Sequence, residues 1–411
     1  MDSPECLSNL DAVIVLNPQP ATPALCELPA NFALHRLLAL LSRTFSGEVR
    51  VLSPEPTPRS YGSIQFEEIT RASLDDSAQR VRGRKCLIVC QNLPQLGTAI
   101  RLKKKTRCPL VLRMGGVFFG RRDIESGHAA SRMARNRRLL SAVDHIICTA
   151  DGTPVHAYMK SMGISTSDYT ALANPIPVLR NTGNWQRQPE RILYIGRLSG
   201  EKAVPYVLAS FAVLRATTPE PYRLLVVGSG PEEPNLRNFV AALRITGDVQ
   251  FVPEDFDIER YLYTSRLLIA GRANNTLAEA VATGTPAIGL DLGETRSLYG
   301  DYPNIQILGS GAEGYSSTLS TEETLSLAIR TAEMAHSTLR KTNPQSYTPT
   351  SDDSWGNRLN AELAVYASLI SRNHPKRFPS CQDVYHTTRC YGIRARTTFR
   401  RLERSVRARL A

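Results

Sequence analysis

The sequence predicts an α/β fold of two doubly wound, Rossmann-like domains facing a cleft, and three observations predict it. The chain has 411 residues, too many for one ordinary core. In each half, short apolar runs alternate with stretches of helical periodicity, the pattern of a parallel sheet covered on both faces. A polar break near residue 180 separates the halves, and the alternation restarts after it.

In the first half, strands are predicted over Ala12–Leu16, Glu48–Leu52, Cys86–Cys90, Pro109–Met114 and His145–Thr149. Between the first two, Phe32, Leu34, Leu37, Leu38 and Leu41 fall at helical spacing behind Asn31, a capping residue type. The stretch 180–190 has the composition of a linker. Beyond it strands are predicted at Arg191–Ile195, Tyr222–Val227, Val249–Val252, Leu267–Ala270 and Ala287–Leu290. They alternate with helices at Val204–Ala216, Pro234–Leu243, Ile258–Thr264 and Thr276–Thr283. The expected divisions are a first domain over 1–179, a second over 191–350, a helical stretch over 351–372 and a basic extension over 373–411.

Composition narrows the function classes. Apolar residues make up 42% of the chain, enough for two cores. The longest apolar runs, such as 37–41, are far below the ~18 residues that span a bilayer. The N-terminus lacks a basic and then apolar leader pattern, so a cytoplasmic location is expected. Eight cysteines are scattered without paired C-x-x-C units, which fits reduced, mostly buried thiols better than a zinc site. The net charge is +12, of which the residues from Arg372 onward carry +9, so the body of the protein is nearly neutral.

The chemistry concentrates in the second half. In Arg191-Ile-Leu-Tyr-Ile-Gly-Arg-Leu-Ser-Gly-Glu-Lys202 an apolar strand runs into Gly196, and Arg197 and Lys202 emerge in the loop that opens the next helix. Ligands of such folds bind at the carboxyl ends of the strands, and two cations beside free helix N–H groups suit a diphosphate. The alternative is a pair of solvated surface cations. A second strand ends in Gly228-Ser-Gly230-Pro231, where a backbone can approach a ligand closely. A third segment, Ala273 to Pro286, places Asn274, Asn275 and Thr276 at a helix start with Glu279 three residues after Thr276. That spacing serves a capping box as well as a ligand-binding carboxylate.

Taken in order, G-R-L-x-x-E-K, V-G-x-G-P and E-A-x-A-x-G-x-P resemble the donor-binding half of retaining GT-B glycosyltransferases of family 4, also called group 1. The resemblance covers Arg191 to Gly293 well. It extends loosely forward to Trp355 and Tyr366, similar to the family's C-terminal helix that crosses back to the first domain, and backward to Cys148–Thr153 and Ala173–Ile176. It implies a hexosyltransferase using a nucleotide diphosphate sugar, with no bound metal and no cofactor. Arg197 and Lys202 would neutralise the diphosphate and act as the catalytic electrostatic groups, and Glu279 would bind the ribose. Gly196, Gly228, Gly230, Val252, Asn274, Asn275 and Thr276 would line the donor site. Arg113, Gly115 and Gly116 are acceptor-side candidates, with a structural role for Arg113 as the alternative. The implied acceptor is a glycan, a lipid-linked sugar or another glycoconjugate.

One departure stands out. The family carries two glutamates eight positions apart, the first facing the donor sugar; here the first position is Gly271, followed by Arg272. A catalytically silent GT-B protein that binds a nucleotide, a lipid or a protein partner is therefore the competing expectation.

Weaker signals complete the reading. Asp255-Phe-Asp257 resembles a metal-binding D-x-D of another glycosyltransferase fold, but its place in the second domain favours a helix-entry loop. His128 reads as a solvated loop residue. The basic clusters 101–107 and 132–138 read as solvated helix faces or as surfaces for anionic lipid. In 396–410, Phe399, Leu402, Val406 and Leu410 are spaced as one stripe of an arginine-rich amphipathic helix. Such a helix lies in a bilayer interface or packs on protein, and would make the chain peripheral on the inner membrane face. No aromatic-rich motif points to nucleic acid.

Overall fold

The computed structural model of the chain describes residues 10–17, 37–41, 45–54, 60–61, 64–115, 117, 128–179, 183–253, 257–272, 275–309, 321–340 and 355–371. The first sheet is built from β1 (Ala12–Leu16), β2 (Glu48–Ser53), β3 (Ser60–Tyr61), β4 (Ile64–Glu68), β5 (Cys86–Gln91), β6 (Leu110–Met114), β7 (His145–Ala150) and β8 (Tyr169–Ala173). Its helices are α1 (Arg71–Arg80), α2 (Leu96–Thr106), α3 (His128–Leu140) and α4 (Val155–Ser161). The strand order is β3-β4-β2-β1-β5-β6-β7-β8, parallel throughout except for the β3–β4 pair at one edge.

The second sheet contains β9 (Arg191–Ile195), β10 (Arg223–Val227), β11 (Val249–Val252), β12 (Leu267–Ile269), β13 (Ala287–Leu290) and β14 (Ile305–Leu308). Its helices are α5 (Val204–Thr217), α6 (Glu233–Ala242), α7 (Ile258–Thr264), α8 (Asn275–Thr283), α9 (Thr295–Tyr299) and α10 (Thr321–Arg340). The order β11-β10-β9-β12-β13-β14 reverses between β9 and β12. That reversal opens a crevice at the carboxyl ends of these two strands, the usual ligand position in a doubly wound sheet.

Alternation along each strand builds a core on both faces. In β9, Ile192 and Tyr194 join one cluster with α5, α6 and α10, while Leu193 and Ile195 join another with α7 and α8. In β1, Ala12, Ile14 and Leu16 face α2 and α4, while Val13 and Val15 face the opposite layer. Helix α5 is apolar on nearly all sides because it lies between the sheet and α10.

The last described helix, α11 (Trp355–Ser371), returns to the first sheet. Leu359, Leu363, Tyr366 and Leu369 complete the core that contains Val13, Val15, Val51, Leu87 and Val111. Arg358 ties α11 to the ends of the strands beneath it, donating to the Leu172 carbonyl, to the Ala173 carbonyl at 2.8 Å and to Thr149 Oγ1 at 3.3 Å.

The polar stretch expected as a linker is docked on the second domain over its described part. Arg187 donates to the carbonyls of Ser265 and Gly284, each at 3.0 Å, and the Gln188 amide donates to Thr264 O at 2.9 Å. Trp185 packs beside Tyr263 with ring centroids 6.3 Å apart.

The cluster 101–107 is not one solvated face. Lys103 is fully buried, with Nζ 2.6 Å from Asp144 Oδ2 and donating to Ala142 O at 2.9 Å. Lys105 pairs with Asp75, and Arg101 is exposed. The extension 373–411, the side chains of His128 and Arg132, and Asp255 lie outside the described residues; Asp257 caps α7 by accepting from the Arg260 amide at 3.3 Å. Among the described residues no helix is long and apolar enough to cross a membrane.

Candidate functional site

The site is built at the strand-order reversal of the second sheet. After β9 the chain passes through Gly196, exposed Arg197 and buried Leu198, then makes a 3-10 turn over Gly200–Lys202. Ala203, with a left-handed φ of 52°, turns this loop into α5. The loop after β10 packs directly on it. The Leu198 amide donates to Ser229 O at 2.9 Å, and the Glu232 amide donates to Leu198 O at 3.0 Å.

This packing explains the glycines of the second motif. Gly228 has φ 147°, and a Cβ there would lie 2.1 Å from Gly196 O. A Cβ on Gly230 would lie 2.3 Å from Leu198 O. The Gly228 amide donates to the carbonyl of Val252, the last residue of β11, at 2.9 Å. Gly196, Gly228, Gly230 and Val252 therefore meet along three adjacent strand ends.

Across the reversal, the segment after β12 grips the same loop. The Arg272 amide donates to Lys202 O at 3.1 Å, and Lys202 Nζ lies 3.5 Å from Arg272 O. A Cβ on Gly271 would stand 2.4 Å from Lys202 O, closer than non-bonded atoms approach. Glycine at this position is thus a packing requirement: a glutamate here would push away the backbone that carries Lys202.

Helix α8 begins at Asn275, so Glu279 is its fifth residue. A capping-box carboxylate sits at the third helical position. The buried Thr276 Oγ1, which that motif would use, has no hydrogen-bond partner among the described residues. The capping arrangement read as an alternative for Glu279 is therefore not the one formed. Glu279 is buried, and its charge reaches the hydroxyl of buried Tyr299. Burial first, then the fields of Asp151, Tyr302 and Glu279, push that hydroxyl well above its usual range.

The first domain meets this region through Asn174 and through the stretch around Gly152. Asn174 Nδ2 donates to Asn275 Oδ1 at 2.7 Å. The Gly152 carbonyl, just past β7, accepts from the Glu294 amide at 2.8 Å and from Thr295 Oγ1 at 3.2 Å. Glu294 Oε1 in turn accepts from the His156 amide at 3.2 Å.

Arg113 takes the structural alternative. It is buried, and its guanidinium meets the Glu362 carboxylate of α11 at two points, 2.5 and 3.1 Å. Its remaining Nη1 donates to Gln91 Oε1 at 2.9 Å, so its hydrogen-bonding capacity is directed into the fold rather than toward an acceptor. The Gly115 amide donates to Asn92 Oδ1 at 3.0 Å. Gly116 and Asn274 lie outside the described residues.

The structure therefore brings Gly196, Lys202, Gly228, Gly230, Val252, Asn275, Thr276 and Glu279 to the strand ends and helix start around one crevice, with Arg197 on the exposed side of its loop. The burial of Arg272 against the loop of Lys202 and the contact of Glu294 with Gly152 were not foreseen from the sequence. Arg272 stood beside the anomalous Gly271, but its burial has no local signature.

Comparisons with known proteins bear on the fold and on the segment that holds the second sheet. Residues 189–308 match the family described as Glycosyl transferases group 1. An uncharacterized glycosyltransferase of Haemophilus influenzae is 32% identical over 127 residues, which is 30% of this chain and only 36% of that protein. Among solved structures, Anabaena Alr3699/HepE in complex with UDP-glucose is similar at TM-score 0.57 and 13% identity, over 87% of this chain and 99% of that one. A glycosyltransferase from Rickettsia africae gives TM-score 0.56 at 13% identity, over 89% of this chain and 100% of that one. The lipopolysaccharide outer core galactosyltransferase WaaB gives 0.52 at 13%, over 88% and 95%. At such identities the likeness is one of fold. The chain thus has the two-domain GT-B architecture, and its segment 189–308 is similar to the family described as Glycosyl transferases group 1.

Proposed function

We propose that the chain is a retaining, metal-independent hexosyltransferase that takes a hexose from a nucleotide diphosphate sugar and passes it to a glycan, lipid-linked or other glycoconjugate acceptor. The observation that carries this reading is the grip of the Gly271–Arg272 segment on Lys202, which sets a lysine and the start of α8 on opposite sides of one crevice. In this reading Lys202 and Arg197 take the diphosphate, and Glu279 takes the ribose hydroxyls. When the anomeric C–O bond breaks, its electron pair leaves on the diphosphate. The two cations and the N-terminus of α8 stabilise that charge, which is electrostatic catalysis at the leaving group. UDP-sugars head the donor panel because HepE, a neighbour in fold, was solved with UDP-glucose.

We further propose that the protein works on the cytoplasmic face of a membrane, held peripherally by its arginine-rich extension. Anionic lipid contributes ~1 kcal/mol per basic residue near the surface.

Gly271 favours a second reading, a silent GT-B protein that binds nucleotide without transfer, because the position that faces the sugar in the resembling family has no side chain here. Donor hydrolysis and transfer, measured over UDP- and GDP-sugars with a panel of acceptors, separate the two. Nucleotide binding without turnover on any donor favours the silent protein. Lys202→Ala should weaken UDP or GDP binding roughly tenfold or more while the circular dichroism spectrum stays unchanged. Unaltered affinity removes the donor-site assignment.

A further inference from the structure

Arg272 is only 3% exposed, yet its Nε and Nη2 have no hydrogen-bond partner among the described residues. The other buried arginines are better provided for. Arg50 is held by Glu67 and Asp76, Arg113 by Glu362, and Arg358 by two backbone carbonyls and Thr149, leaving without a partner among the described residues only Nη1 of Arg50 and Nε of Arg358. Burial pushes the Arg272 guanidinium down to about 10, with no neighbouring charge contributing, which still leaves it a cation at neutral pH. A cation held out of water without an anion is a large cost to a fold, and proteins normally avoid it.

Its place gives that cost a use. Arg272 follows the glycine pressed against Lys202 O, and its own backbone is bonded to Lys202 through both amide and carbonyl. Four residues on, at the start of α8, Thr276 Oγ1 is a second buried polar atom without a partner among the described residues. Lys202, a guanidinium with no ion pair among the described residues, a hydroxyl likewise without a partner there and the N-terminal end of a nine-residue helix are gathered on one crevice. All but the hydroxyl are positive or partly positive, and the hydroxyl can donate. The resembling family has a carboxylate at position 271, suited to the neutral hydroxyls of a hexose. This chain has bare backbone there and a cation next to it, which reverses the local charge.

We propose that Arg272 is an anion-binding residue of the donor site, its guanidinium taking paired anionic oxygens of the donor. Two sources present that chemistry: the diphosphate itself, or a carboxylate on the sugar, as in a nucleotide-linked uronic acid. The proposal rests on the donor-site reading given above.

The test uses the full chain, Arg272→Met and Arg272→Lys. Titration calorimetry follows UDP, UDP-glucose and UDP-glucuronate, with the GDP counterparts as a second set, and thermal unfolding is followed without nucleotide. Arg272→Met removes an uncompensated buried charge, so the ligand-free variant should unfold at the same temperature or higher. It should bind roughly tenfold or more weakly, with partial recovery in Arg272→Lys. A loss shared by all three ligands of a set identifies the diphosphate as the partner. A loss confined to the uronate identifies the sugar carboxylate. Affinities equal to wild type overturn the proposal, as does a variant that is less stable yet binds all ligands normally, since that marks a purely structural arginine. If Lys202→Ala loses nucleotide and Arg272→Met does not, this proposal alone falls. If the wild type binds no member of either set, the donor-site reading falls with it.

Discussion

Arg113 and Glu362 lie 249 residues apart in sequence and form a two-point ion pair shut away from solvent. Burial opposes the charge on Arg113, but Glu362 and the neighbouring Tyr366 hydroxyl leave the guanidinium more basic than usual. Tyr366 adds a hydrogen bond to the same carboxylate. The pair bolts α11 to β6 within an apolar layer. Removing one partner of such a pair strands the other charge, so Glu362→Ala should lower the unfolding free energy by about 3–5 kcal/mol in urea titrations. Arg113→Met combined with Glu362→Leu should recover most of that loss. A single variant as stable as wild type would show that α11 is held by its leucines alone.

Lys103 makes a comparable prediction within the first domain. Its ammonium is buried against Asp144, whose Oδ2 also accepts from the Leu110 amide at 2.7 Å and so anchors the start of β6. Lys103→Ala should cost about 3–5 kcal/mol, whereas exposed Arg101→Ala should stay within about 0.5 kcal/mol of wild type. Chemical denaturation of both variants in parallel checks the contrast. Equal effects would return the cluster to a uniform solvated face.

At position 271, restoring the glutamate of the resembling family should harm rather than help. Any Cβ there meets Lys202 O, so Gly271→Ala and Gly271→Glu should both lower the melting temperature and weaken UDP or GDP binding. Differential scanning calorimetry with and without nucleotide reads both effects. A Gly271→Glu variant with normal stability and improved donor hydrolysis would mean that the loop carrying Lys202 moves freely.

Deleting the residues after Arg372 should abolish sedimentation with vesicles containing anionic lipid and leave nucleotide affinity unchanged. Vesicle binding that persists unaltered would place the membrane contact on the body of the protein, where exposed Arg137 and Arg138 of α3 are candidates.

Much of the fold was legible because its information is local. Strands β1, β9, β11 and β13 and helix α7 follow the expected bounds, since each joins a short apolar run to a glycine or polar break. The edge pair β3–β4 was not seen, because it is short and puts Gln65 outward between buried Ile64 and Phe66. Helix α10 was missed because much of its buried face is alanine and threonine, including Ala328, Thr331, Ala332 and Ala335, too faint a stripe to read. In the candidate site, the glycines and Lys202 sit within motifs a few residues long. The carboxylate that claims Arg113 is contributed from the other end of the chain, and the solitary burial of Arg272 is a property of the surrounding fold. Neither can be written in a local pattern.

The return of α11 sets the order in which this protein can be finished on the ribosome. The face of the first sheet that holds Val13, Val15, Val51 and Leu87 is covered by Leu359, Leu363, Tyr366 and Leu369, which are synthesised only after the whole second domain. Until then the nascent first domain covers that wall only in part, with Leu37, Leu38, Leu41 and Phe45 of its own, and the remainder invites chaperones and neighbouring chains. A premature stop anywhere before α11 would leave that part exposed permanently, so nonsense products of this chain should accumulate as aggregates or be degraded rather than persist as folded fragments.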